Sequence, residues 1–280
     1  RPYLVLMSAN CFGSDYKKAL PAALSVECFH NFTLMHDDIM DSAALRRGHQ
    51  TVHLKWNVNQ AILSGDALLI YSYKLLDSYE SDIYKKLNNV LNTVALQVCE
   101  GQQLDIDFEI KSDVTFNEYI NMIELKTAVL VGAALKMGAI VSGASKSDLK
   151  LIYSFGVDLG IAFQLQDDYL DTFGNQSLVG KSIGGDIIEN KKTAMFHLSL
   201  SNSDNLQKEE LIKLYNNYNQ ADKILKVKKI FKDTGSDSKT LDLVKEYTNR
   251  ALLSIEKLSI SNEKKLELIK FSKALMDRKL

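Results

Sequence analysis

The sequence predicts an all-α fold, and three observations carry that prediction. Helix-forming residues dominate a chain with 46% apolar content and only two prolines, Pro2 and Pro21. No long stretch alternates apolar and polar residues as a half-buried strand would. Apolar residues instead recur at three and four positions, as in Leu87, Val90, Leu91, Val94 and in Leu149, Ile152, Tyr153, Gly156, the period of a helix face. The breaks are clusters of Gly, Ser, Asn and Asp at Asn10 to Asp15, Arg46 to Gln50, Ser142 to Asp148, Phe173 to Gly185, Ser201 to Asn205, Asp233 to Ser238 and Ser259 to Asn262. Their spacing implies a bundle of roughly ten or more helices, several of them long enough to be central. No low-complexity linker divides the chain, so residues 1–280 read as a single domain.

Taken in order, the chain opens on Arg1-Pro2-Tyr3-Leu4, without a signal peptide and inside a structural element, so it reads as lacking an N-terminal segment. A long helical pattern then leads through Phe32-Thr33-Leu34-Met35-His36 into Asp37-Asp38-Ile39-Met40-Asp41. Lys126-Thr127 opens a strongly apolar helix. A later helix runs through Phe163-Gln164-Leu165-Gln166 into Asp167-Asp168-Tyr169-Leu170-Asp171, a repeat of the first acidic pattern. The Gly-rich stretch Phe173 to Gly185 follows it and carries Lys181; a long loop beside a charged site is a candidate lid.

The formal net charge of −1 gives no sign of a nucleic-acid partner or a polybasic membrane anchor. Cys11, Cys28 and Cys99 are odd in number and lack metal-ligand spacing, which suits buried thiols in a reducing cytoplasm. No apolar run reaches membrane-spanning length, so no transmembrane segment is expected.

The two acidic patterns are the chemical signal. On a helix, the first and fifth residues of Asp-Asp-x-x-Asp lie on one face a turn apart, and their like charges repel. Neither copy has a Lys or Arg one turn away, so the compensating charge must come from elsewhere, and hard carboxylate oxygens suit Mg²⁺ or Mn²⁺. Arg46 and Arg47 follow the first copy. They read either as charge compensation or as a phosphate clamp, since guanidinium groups bind phosphate with two parallel hydrogen bonds. Gly180-Lys181 and Asn190-Lys191-Lys192-Thr193 follow the second copy.

These motifs, in this order, make the chain resemble the trans-isoprenyl diphosphate synthases. The resemblance rests on His36 to Asp41 through Arg46-Arg47-Gly48, on Phe163 to Asp171, and on Gly180-Lys181 through Lys191-Thr193, and it continues weakly to Arg278-Lys279. It implies a helical bundle around a deep central cavity, in a homodimer. It also implies a Mg²⁺-dependent prenyltransferase that condenses isopentenyl diphosphate head-to-tail with dimethylallyl, geranyl or farnesyl diphosphate. By the same resemblance, three Mg²⁺ are held by Asp37, Asp41 and Asp167, with Asp38, Asp168 and Asp171 as further or water-mediated ligands. Arg46, Lys126, Lys181 and Lys191 would contact the allylic diphosphate, and Thr127 and Gln164 would flank the allylic carbon. Arg1, His30 and Arg47, near Phe163, would bind isopentenyl diphosphate.

The family's Gly-Lys-Arg stretch is absent before Arg1, and Gln50 stands where the family commonly has proline. Phe29, Phe32 and Thr33 have i, i+3, i+4 spacing upstream of Asp37, which makes Phe32 a candidate cavity floor. With Thr33 beside it, the resemblance points to a C20 product, with C15 as the near alternative. A class I terpene cyclase would share the first motif but normally carries a different second one. A di-iron bundle would need a second Glu-x-x-His beside Glu27 to His30, and none is present. A non-catalytic partner subunit of a prenyl synthase is the alternative outside enzymes.

Overall fold

The computed structural model describes residues 1–111, 113–174, 184–216 and 222–277. Helices carry most of them: α1 Pro2–Cys11, α2 Leu20–Met40, α3 Val58–Lys74, α4 Ser81–Ile110, α5 Phe116–Ile123, α6 Val129–Val141, α7 Lys146–Phe173, α8 Ala194–Asn202, α9 Asn205–Tyr215, α10 Lys223–Asp233, α11 Ser236–Glu256 and α12 Asn262–Met276. The all-α expectation holds. The extended structure among the described residues is a two-residue ladder, β1 Leu45–Arg46 against β2 His49–Gln50. Arg47 and Gly48 form its turn with φ of 53° and 79°, the paired positive values that a tight hairpin of this kind requires. No helix is long and apolar enough to cross a membrane among the described residues.

The chain groups into two compact units, Arg1–Val94 with Ala133–Ile152 and Ala95–Gly132 with Tyr153–Leu280. In the first, α2 packs along α3 and α1. Pro21 sits in the opening turn of α2, where a missing N–H costs nothing. Val26, Phe29, Leu87 and Leu91 are fully buried, each side chain stabilising the fold by roughly 1.5–3 kcal/mol. At Gly138 a Cβ would stand 2.1 Å from the Val5 carbonyl, so glycine lets α6 lie directly on α1.

In the second unit, Val157, Ile161 and Leu165 of α7 pack against Tyr119, Met122, Ile123 and Ala128. A Thr115–Glu118 capping box starts α5 by satisfying otherwise orphan N–H groups. Another cluster, including Ile187, Met195, Phe196, Val227 and Phe231, underlies the chain that follows the second acidic motif. Between α5 and α6 the backbone stays helical without a break. Glu124–Ala128 forms a π-helical segment, an expansion that often marks a functional position.

Candidate active site

In the first unit the acidic motif occupies the last turn of α2, with Asp41 as its C-cap. Helix C-termini carry partial negative charge, so the three carboxylates there concentrate negative potential rather than relieve it. Asp38 is buried, and its Oδ1 accepts hydrogen bonds from Arg46 Nε at 2.8 Å and Nη2 at 2.6 Å. Arg46 Nη2 also lies 3.6 Å from Asp37 Oδ2. The charge-compensation reading of Arg46 thus describes its geometry here, at the motif's second aspartate, while Asp41 is exposed.

Arg1 Nη1 donates to His30 Nε2 at 2.7 Å, so the imidazole accepts at Nε2 and carries its proton on Nδ1. Burial, then the charge of Arg1, push the His30 pKa down to about 3, and Arg47 adds to that push. The pair therefore presents guanidinium charge and a neutral imidazole. Arg46 and Arg47 border a pocket of about 220 Å³ with Asn31, Met35 and Thr51. Arg47 stands in the left-handed region at the hairpin turn, strain of the kind that accompanies functional positions. Phe32 is half-buried, with its ring 5.7 Å from Phe29 and 4.8 Å from His36, and the Thr33 hydroxyl donates to the His30 carbonyl at 2.8 Å.

In the second unit α7 carries the repeat. Asp168 is buried like Asp38; the Tyr119 hydroxyl donates to its Oδ2, and Gln164 Nε2 donates to its Oδ1 at 3.0 Å. Thr127 Oγ1 lies 3.5 Å from Gln164 Oε1, so Thr127, Gln164 and Asp168 form one polar chain. The Asp186 backbone N–H donates to Asp171 Oδ2 at 3.0 Å, which brings the Asp186 residue to the motif. Burial, followed by the charge of Asp186, raises the Asp168 pKa well above the usual carboxylate range; burial, followed by the charge of Asp171, raises that of Asp186. Several carboxylates packed this closely resist joint ionisation.

Lys191 Nζ lies 2.9 Å from Glu189 and 4.0 Å from Asp186; although burial opposes it, these partners hold the ammonium above its usual range. Lys126 projects from the π-helical segment to Asp105 Oδ2 at 2.5 Å. Two glycines close on that segment. A Cβ at Gly101 would stand 2.3 Å from Lys126 N, and one at Gly160 would stand 2.7 Å from Ala128 Cα. Phe163 belongs to this unit and is half-buried. Lys181 lies outside the described residues, as does the rest of 175–183 in the expected lid, and the basic Arg278-Lys279 end does too.

Each motif thus turns its second aspartate inward onto protein donors, and its first and fifth share another face. Among the described residues no group of three or more His, Cys, Asp or Glu is already drawn together as a metal site. The donor set nevertheless fits a hard divalent cation, because it is all carboxylate oxygen. Tyr119, Asp105, Asp186 and the two glycines were not foreseen from the sequence. Isolated glycines inside helical patterns, which mark close backbone approach, were the available signal for the last two.

Residues 1–234 match the family described as Polyprenyl synthetase. A geranylgeranyl pyrophosphate synthase crystal structure superposes with a TM-score of 0.94 at 50% identity, covering 100% of this chain and 87% of that one. A protein of Saccharolobus solfataricus named geranylgeranyl diphosphate synthase is 34% identical over 97% of this chain and 83% of its own length. One of Methanosarcina mazei with the same name is 43% identical over 69% of this chain. That match spans 60% of the Methanosarcina protein, less than two thirds of its length.

Proposed function

The chain belongs to the polyprenyl synthetase family, and we propose that it condenses isopentenyl diphosphate head-to-tail with an allylic diphosphate to give a short all-trans prenyl diphosphate, C20 or C15. The observation that carries this reading is the duplicated arrangement of the acidic motifs, in which Asp38 and Asp168 are tied inward by protein donors. That leaves Asp37 with Asp41, and Asp167 with Asp171, as the paired carboxylates of each helix face. The names of the Saccharolobus and Methanosarcina relatives support C20.

In this reading Asp37, Asp41 and Asp167, with Asp38, Asp168 and Asp171 behind them, hold three Mg²⁺, for which Mn²⁺ can substitute. Bound there, the metal supplies positive charge to the diphosphate leaving group. Arg46, Lys126, Lys181 and Lys191 add cationic hydrogen-bond donors to the same group, stabilising the charge that grows on it as the allylic carbon–oxygen bond breaks. The cation left behind needs a dry, weakly nucleophilic wall. The Thr127 hydroxyl and Gln164 amide supply dipoles without a nucleophile strong enough to trap it.

Arg1, His30 and Arg47, with Phe163, hold isopentenyl diphosphate so that its double bond attacks the allylic C1. One carbon–carbon bond forms, the isopentenyl C2 loses a proton, and the released diphosphate accepts it. A neutral His30 suits this role, since it orients the Arg1 guanidinium without competing for the proton. Phe32, with Thr33, limits product length. A homodimer acting in the cytoplasm belongs to the same proposal.

The test is chromatography of dephosphorylated products after incubation with isopentenyl diphosphate, Mg²⁺ and dimethylallyl, geranyl or farnesyl diphosphate. Geranylgeraniol or farnesol is the expected alcohol. A cyclic hydrocarbon would support a terpene cyclase, and no turnover would support a partner subunit.

A further inference from the structure

We propose that the Tyr119 hydroxyl is a positioning group that pins the second acidic motif to the segment carrying Lys126 and Thr127, and so sets how tightly that motif takes up metal and diphosphate. The proposal rests on the functional reading above. Tyr119 is 3% exposed and sits on α5 among Met122, Ile123, Ala128, Leu165 and Ala194. A phenylalanine would fill such a place equally well, and a buried hydroxyl is tolerated only when bonded.

Here the hydroxyl is bonded to the acidic motif. It donates to Asp168 Oδ2, and its ring packs in one cluster with Ala194, the first residue of α8. Ala194 stands three residues after Lys191. The other Asp168 oxygen is held by Gln164, itself in contact with Thr127, and Thr127 lies on the π-helical segment that directly continues α5. Tyr119, Asp168, Gln164 and Thr127 therefore close a circuit that returns along the chain to Tyr119. Every group proposed to meet the diphosphate in this unit, Lys181 apart, is attached to that circuit or lies within three residues of it or of Ala194. The loss of the bond to Asp168 should be felt first at the motif.

The probe is inorganic diphosphate with Mg²⁺, read as the Mg²⁺ concentration that half-saturates thermal stabilisation of the full chain. Tyr119→Phe should raise this concentration about tenfold, equivalent to about 1.4 kcal/mol, read as stabilisation relative to each variant's own metal-free Tm. In turnover assays KM for the allylic diphosphate should rise with it, while KM for isopentenyl diphosphate stays put. In an Asp168→Asn background Tyr119→Phe should add little, because residues acting through one contact are non-additive. Gln164→Met removes the donor to the other Asp168 oxygen while leaving the phenol, and should shift half-saturation in the same direction. That variant decides the matter if Tyr119→Phe does not fold. Unchanged half-saturation in the folded variants, or a Tyr119→Phe penalty of full size in the Asp168→Asn background, overturns the proposal. Wild type unresponsive to Mg²⁺ and diphosphate would instead overturn the functional reading.

Discussion

Adding one methyl group at Gly101 tests whether the π-helical segment holds Lys126 and Thr127 where the chemistry needs them. The new Cβ would stand 2.3 Å from Lys126 N and 2.7 Å from both Leu125 C and Lys126 Cα. Ordinary contact begins at 3.4 Å, so the two backbones must separate by 3.4 − 2.3 = 1.1 Å, and no side chain can rotate out of the way. Alanine in a helix interior is favoured over glycine by about 1 kcal/mol. Overpacking costs about 1–3 kcal/mol, here at its upper end because all three contacts are backbone. The net expectation for Gly101→Ala is a loss of about 2 kcal/mol, or a fall in Tm of roughly 3–6 °C for a chain of this size. The catalytic effect should be larger, since a displacement of about 1 Å can cost roughly a hundredfold in rate. Scanning fluorimetry paired with incorporation of labelled isopentenyl diphosphate would measure both. Wild-type turnover and wild-type Tm together would refute the reasoning, and a lower Tm with full activity would refute the role of Lys126.

Two further expectations follow from the first unit. Phe32→Ala should shift products toward longer chains, at a cost of about 2 kcal/mol rather than the 3–5 of a fully buried ring, because Phe32 is half-buried; an unchanged product distribution in the folded variant would remove Phe32 as the floor. His30 is neutral in the folded chain down to about pH 3, whereas the unfolded chain protonates it below about 6.5. Its contribution to stability is therefore fully present above pH 6.5 and is lost as pH falls through that window, on the order of 1–2 kcal/mol between pH 7 and 5. His30→Gln keeps an acceptor for Arg1 and should flatten that slope in denaturant titrations; parallel curves for the two proteins would contradict the assignment.

The fold and the charged chemistry were legible because both are local patterns. Helical periodicity in Leu87 to Val94 and like charges at i and i+4 in Asp37 to Asp41 need no knowledge of distant residues. The expected break at Arg46 to Gln50 proved to be a hairpin whose turn falls on Arg47 and Gly48. What escaped depends on tertiary approach. In sequence Lys126-Thr127 looks like the start of an ordinary apolar helix, whereas the π-helical segment there lies against Gly101 and Gly160. The break between Ile110 and Phe116 carried no glycine or proline cluster to announce it. Periodicity also could not say which aspartate of each motif faces inward, because that depends on Arg46 in one case and on Tyr119 with Gln164 in the other. Asp186 follows the Gly-rich stretch with nothing local to mark it; its place beside Asp171 depends on tertiary approach.

The central proposal, that each acidic motif is needed to hold metal against diphosphate, is tested most directly by the turnover of Asp37→Asn and Asp167→Asn beside wild type, at saturating Mg²⁺, isopentenyl diphosphate and geranyl diphosphate. The account predicts a fall of roughly a hundredfold or more in each, about 3 kcal/mol of barrier, with no loss of metal-free stability because one of several clustered like charges has been removed. Near-normal turnover in either variant would contradict it.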